Sequence, residues 1–299
     1  MNISTNLVNN LHQLSLSSFP DIVIHQAKRC LLDYLGAALA GNRMLENRNI
    51  SVLEDLSCDE GGISIIGSKR KANPYHAAFV NGFNAHLAEL DDGVISGIVH
   101  PGSPIFSALL PIAEKEGIRG ESLLKGIIIG YEATVRIALA IQPGHKERGF
   151  HATATCGTIG VAMGIAAMLG FNRKQMKNAF SAAVVSAFGT LKVLEDDSQL
   201  KPFNVARAAN SGLLASLMAK TGFTGPDDVL LGNAGFLSMV TDTYDLEKLN
   251  GSENNQYGIE KVFFKPYAAC RYCHPTIEAA INLRNKNHIN VEEIKSVNV

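Results

Sequence analysis

Asn73-Pro74-Tyr-His-Ala-Ala-Phe-Val-Asn-Gly-Phe-Asn-Ala-His86-Leu-Ala-Glu89-Leu-Asp91-Asp92-Gly93-Val-Ile-Ser-Gly97-Ile-Val-His100-Pro101-Gly102 joins two kinds of sequence end to end. The first part is Ala-rich, opens on Asn-Pro and has helical spacing, which predicts a helix from Asn73–Pro74 to about Leu90. The second part holds His86, Glu89, Asp91, Asp92 and His100, five titratable groups in fifteen residues. A core does not take up that much charge. A fully solvated loop rarely carries Val94, Ile95, Ile98 and Val99. A polar pocket explains both, with carboxylates and imidazoles close enough to shift one another's pKa, as proton transfer requires. A solvated helix end with turn-forming Asp91-Asp92-Gly93 is the blander alternative. On a helix, His86, Glu89 and Asp92 would share one face through their three-residue spacing.

Outward from this stretch the chain reads as a series of helices. Pro20 to Ala40 has helical spacing and is closed by Gly41-Asn42. Residues 42–62 read as a connection and Ile63 to Gly67 as a short strand. Pro104 to Glu116 is a helix ended by Gly117, and Gly120-Glu121-Ser122 opens another that stops before Pro143-Gly144. In Gly157 to Leu169 the small residues fall three and four apart, which permits close helix–helix approach. Asn172 to Ser186 and Asn204 to Thr221 continue the series, and Gly222-Phe-Thr-Gly-Pro226 is a stop. Ile294 to Val299 alternates like a strand. A lone strand cannot bury a face, so it is expected to pair with another chain or to belong to a longer protein.

Composition narrows the class. Lys plus Arg number 27 against 28 acids, a net charge of −1, so no basic field points to nucleic acid and no polybasic run to a membrane surface. The most apolar stretch, Leu123 to Ile141, contains Lys125, Glu132 and Arg136, which a spanning helix would carry at high cost. The start of the chain has no charged region followed by an apolar one, and the five cysteines are few and scattered. Both favour a cytoplasmic location. With no Trp and 7% aromatic residues, the core must be built from small aliphatic side chains, which suits closely packed helices.

Other candidates are ambiguous taken singly. His100 and His151 each enter a helix, where anions are favoured, and together suggest an anionic small-molecule site. Lys201 follows Glu195-Asp196-Asp197 and from spacing alone reads as part of a solvated surface loop, with neutralisation of a substrate carboxylate as the alternative. Cys270-Arg271-Tyr272-Cys273-His274 has the spacing of a c-type haem attachment and offers three zinc ligands. The expected leader and fourth ligand are missing, so the expectation is no metal and no cofactor.

In order and spacing, several segments resemble the MmgE/PrpD family: His86-x-x-Glu89-Leu-Asp91-Asp92, His100-Pro101-Gly102, Gly130-Tyr131-Glu132 with Arg136, Gly149-Phe150-His151 before Thr155 to Gly160, Lys201-Pro202, Gly222 to Pro226, and Lys265-Pro266-Tyr267 leading to His274. The resemblance implies a mainly α protein: a large all-helical domain, here residues 1–265, followed at 266–299 by the start of a smaller α+β lid domain, cut short. It implies a homodimer, no cofactor, and a small di- or tricarboxylate substrate. By position it makes Glu89, Asp92, His100, His151 and Lys201 catalytic, and His86, Asp91, Arg271 and His274 substrate-binding. Glu stands at position 89 where the family has Asp, and Asn204 where many relatives have His. The implied reaction is proton abstraction next to a carboxylate, foremost as a hydro-lyase of the 2-methylcitrate dehydratase kind. Cis-aconitate decarboxylase and iminodisuccinate epimerase chemistry are the alternatives, and a truncated, non-catalytic helical homologue is another.

Overall fold

The computed structural model describes residues 2–46, 62–251 and 256–298. It is mainly helical: α1 (Ile3–Leu16), α2 (Asp21–Glu46), the two-residue strands β1 (Ile63–Ser64) and β2 (Lys71–Ala72), α3 (Pro74–Leu87), α4 (Gly102–Glu116), α5 (Gly120–Ile141), the short α6 (Gly144–Glu147), α7 (Ala152–Met168), α8 (Arg173–Ser186), α9 (Lys201–Lys220), α10 (Phe236–Val240) and α11 (His274–Asn287). The strands pair antiparallel, Ile63 opposite Ala72. Among the described residues no helix is long and apolar enough to cross a membrane.

Helix α7 is the axis of the fold. Every residue from Ala152 to Met168 is buried, as an Ala-, Gly- and Thr-rich helix apolar all round must be. It packs on α5, α9, α8 and α4. Small residues set the closeness of those crossings. A Cβ on Gly160 would lie 1.8 Å from Thr134 Oγ1 and 2.7 Å from the Gly130 carbonyl on α5. Replacing Gly160 with Ala is therefore expected to destabilise the chain by about 1–3 kcal/mol or more through overpacking. Urea unfolding should show a lower midpoint at unchanged slope.

The structure corrects several sequence expectations. Helix α2 does not stop at Gly41-Asn42. Gly41 lies where α2 crosses α3, and a Cβ there would fall 1.9 Å from the Asn84 carbonyl. That glycine permits packing; it does not end the helix. Helix α3 ends at Leu87, so His86, Glu89 and Asp92 do not stack on a helix face. Glu89 instead adopts a left-handed backbone, φ 53°. Residues 294–298 form no strand: after a short 3-10 turn at Val291–Glu293 they run exposed, because no strand edge among the described residues lies beside them. Val299 and most of the 42–62 connection lie outside the described residues. Helix α1 has no counterpart in the sequence reading. Asn2 caps it by accepting from the Thr5 amide at 2.7 Å, and Leu7, Val8 and Leu11 are buried.

Candidate active site

The loop between α3 and α4 gathers charged side chains because both of its ends are tied down. Val94 and Val99 exchange backbone hydrogen bonds at 2.9 and 3.4 Å, closing a tight turn in which Ile98 has φ 47°. Gly93 pairs with Phe263 at 3.1 and 2.9 Å, which brings the Phe263–Lys265 segment against the loop. A β-branched residue and a glutamate held at positive φ are strained, and the surrounding hydrogen bonds maintain them.

His86, in the last turn of α3, is fully buried, and its Nδ1 donates to Asp91 Oδ2 at 2.6 Å. Asp91 also accepts from Ser103 Oγ at 2.7 Å and faces Lys265 Nζ at 3.5 Å. Burial would raise the Asp91 carboxyl, but the fields of His86, His100 and Lys265 and the His86 hydrogen bond hold it well below its ordinary range. His86 Nε2 is buried with no hydrogen-bond partner among the described residues, an unmet capacity of the kind a bound molecule satisfies.

Glu89 bridges two ammonium groups. Lys201, at the start of α9, hydrogen-bonds Glu89 Oε1. Lys265 Nζ donates to the Glu89 carbonyl at 3.1 Å and lies 3.3 Å from Oε2. The Lys265 side chain is 0% exposed and that of Glu89 26%, so the bridge opens to solvent on the Glu89 side. Burial acts to raise Glu89, but His86, Lys201 and Lys265 outweigh it and keep the group ionised below its usual range.

Three imidazole rings face one another. The His86 centroid lies 5.4 Å from that of His100 and 5.9 Å from that of His151. His100 Nδ1 stands 2.5 Å from the Asp92 carbonyl, which can only accept, so Nδ1 carries the proton and Nε2 is the free base. Burial pushes His100 down to about 4 and holds His151 well below its ordinary value, so both are neutral at pH 7. Asn204 donates to the Thr190 carbonyl at 3.1 Å and lies 3.4 Å from His151 Nδ1, so the amide at this position braces the imidazole.

Asp92, expected to be catalytic, stands behind the cluster. Its Oδ2 accepts from the Tyr131 hydroxyl at 2.6 Å and its Oδ1 from the Gly102 amide at 3.0 Å. A Cβ on Gly102 would lie 2.7 Å from the Tyr131 oxygen and 2.9 Å from Asp92 Oδ1, so this junction needs glycine. Burial raises Asp92 to about 7 against the hydrogen bonds it accepts, and Asp33 and Asp91 add to the rise. Its contact with the cluster is through the backbone carbonyl that orients His100, which makes it a positioning residue.

The structure thus groups His86, Glu89, Asp91, His100, His151 and Lys201. His274 and Arg271 make no hydrogen bond to that group among the described residues. His274 bonds the Ala269 carbonyl at 3.1 Å with its ring edge-on to Tyr267, and Arg271 lies 5.5 Å over the Phe263 ring. Lys265 was not among the sequence-derived site residues. The available signal was a lysine closing the apolar run Val262-Phe263-Phe264, where a charge must find a partner when buried. Cys270 and Cys273 are exposed free thiols.

Comparison with known proteins adds the following. The family model for the MmgE/PrpD N-terminal domain matches residues 5–249. A cis-aconitate decarboxylase-like protein, oryM, of Aspergillus oryzae is 27% identical over 298 residues, covering 95% of this chain and 62% of the relative. The cis-aconitate decarboxylase of Homo sapiens is 26% identical, covering 94% and 60%, and that of Mus musculus 24%, covering 92% and 57%. The chain therefore spans about three fifths of the length of the curated relatives it matches.

Proposed function

We propose that this chain, which belongs to the MmgE/PrpD family, carries the proton-transfer site of a cofactor-independent lyase for small di- or tricarboxylates. The observation that carries the proposal is the pairing of Lys201 and Lys265 around Glu89 beside neutral His100 and His151. A substrate carboxylate entering from the exposed side competes with Glu89 for the two ammonium groups. Held there, it has positive charge beside the carbon at which enolate-like charge develops, and such placement of charge is a large source of rate. His100 Nε2, unprotonated and oriented through Nδ1, is the group suited to exchange a proton with that carbon. His151 and the unpartnered His86 Nε2 can meet further substrate oxygens. Dehydration, decarboxylation and epimerisation all need carbon–proton transfer next to a carboxylate. The relatives named above act, by their names, on cis-aconitate, which puts it first among the probes.

The test is proton NMR in deuterated water with cis-aconitate, citrate, 2-methylcitrate and iminodisuccinate. Deuterium is expected at a carbon next to a carboxylate of one of them, and the product names the reaction. Absence of exchange with all four would overturn the proposal and favour a non-catalytic helical homologue.

The site also has a pH signature. His100 is expected to titrate near 4, against about 6.5 for a solvated imidazole, and imidazole chemical shifts read this directly. Its folded pKa is below the unfolded one. The stability it contributes is therefore present above about pH 6.5 and is lost as pH falls towards 4. A midpoint near 6.5 would mean that the His100 ring, half-buried in the cluster, is hydrated in the folded protein.

A further inference from the structure

We infer that Cys270 and Cys273 form a modification site: a solvent-facing dithiol that a small-molecule disulfide, such as glutathione disulfide, converts into a bond across one turn. Both thiols are exposed and free. Residues 270–273 form a closed turn. The Cys273 amide donates to the Cys270 carbonyl at 2.9 Å, with Arg271–Cys273 in 3-10 conformation. A hydrogen-bonded four-residue turn holds its end Cα atoms within about 7 Å, and a disulfide spans about 4.4–6.8 Å. Neither cysteine has a strained backbone: φ and ψ are −55° and 137° at Cys270 and −82° and −16° at Cys273.

The two residues between the thiols are tied down. Arg271 lies 5.5 Å over the Phe263 ring. The Tyr272 hydroxyl accepts from Lys146 Nζ at 3.0 Å, and that ammonium stands 4.3 Å from the ring centroid. The turn thus keeps its shape through contacts that do not use the sulfurs. The neighbouring imidazole takes no part. His274 is buried, and its Nε2 donates to the Ala269 carbonyl at 3.1 Å. Among the described residues no three side chains of metal-ligating type are gathered to hold an ion, so the pair is suited to thiol–disulfide chemistry. Cys30 and Cys156 are not: both are buried, and burial pushes Cys156 up to about 12 and Cys30 higher still.

The chemistry is a double exchange. One cysteine, as the thiolate, attacks the small disulfide; a bond forms to its sulfur, and half of the reagent leaves as a thiolate. The second cysteine gives its proton to water, attacks the first and expels the other half. Two protein thiols are oxidised to one disulfide, and one glutathione disulfide is reduced to two glutathione molecules.

The test treats the native 299-residue chain with glutathione disulfide, alkylates the remaining thiols and digests the chains that run as monomers without reductant. Trypsin cuts after Arg271, between the two thiols. In wild type, peptides 262–271 and 272–284 should emerge joined, free of glutathione, and should part on reduction. Cys270→Ser and Cys273→Ser should each retain one glutathione on the remaining cysteine, because the thiol that would displace it is gone. Cys58 lies outside the described residues, so the readout is confined to these two peptides. Wild-type peptides that stay separate or keep glutathione, or joined peptides found only in linked dimers, would overturn the inference. So would a Ser variant that takes up no glutathione there.

Discussion

Replacing Lys265 with Met is expected to destabilise the chain by about 3–5 kcal/mol in urea unfolding, the usual effect of removing one partner from a buried ion pair. Met preserves the length and most of the apolar stem, so the loss isolates the charge. Lys265 Nζ reaches the Glu89 carbonyl, the Glu89 carboxylate and Asp91, and the lysine side chain is 0% exposed. Glu89 keeps Lys201 and access to water. Asp91, whose side chain is 2% exposed, keeps its hydrogen bonds from His86 and Ser103 but loses the ammonium charge that faces it. The burden therefore falls on Asp91, and adding Asp91→Asn to Lys265→Met should recover part of the stability, because the stranded charge is gone. A loss below about 1 kcal/mol in the single variant would show that Lys265 is not what neutralises the buried carboxylates.

Replacing His100 with Gln is expected to lower the rate of carbon-bound hydrogen exchange by about 100- to 10,000-fold, the range for loss of a positioned acid–base group. Gln can keep a donor towards the Asp92 carbonyl that His100 Nδ1 now bonds, so the loop should hold its shape. It has no basic nitrogen at the reacting end. Unfolding midpoints near wild type together with the lost exchange would assign the effect to chemistry. Exchange at the wild-type rate would remove His100 from the proposed mechanism and leave His151, the other neutral imidazole of the cluster, as the base.

The helical series was readable because its punctuation is local. Asn73-Pro74, Gly117 and Asn172 cap or end helices through their own backbone preferences, and each does so in the structure. Gly41 shows the limit: a glycine needed for a backbone crossing has the same one-letter appearance as one that ends a helix. The alternation of residues 294–298 meets no partner strand among the described residues, since a strand is a property of a pair of segments and the partner is not written in the pattern. In the site, the density of charge at 86–100 was visible. That Asp92 turns towards Tyr131 while Asp91 turns towards His86 was not, because adjacent residues in an irregular loop have no period from which direction can be read.

The sequence by itself determined that this chain is a stack of close-packed helices interrupted by one strongly charged loop. Helix formation depends on spacing, caps and small residues over a few turns, and all of these are carried by neighbours along the chain. Only the tertiary structure decided which charges meet. Lys201 and Lys265 lie 112 and 176 positions from Glu89, and a Coulomb interaction depends on distance in space and on the exclusion of water, neither of which separation along the chain records.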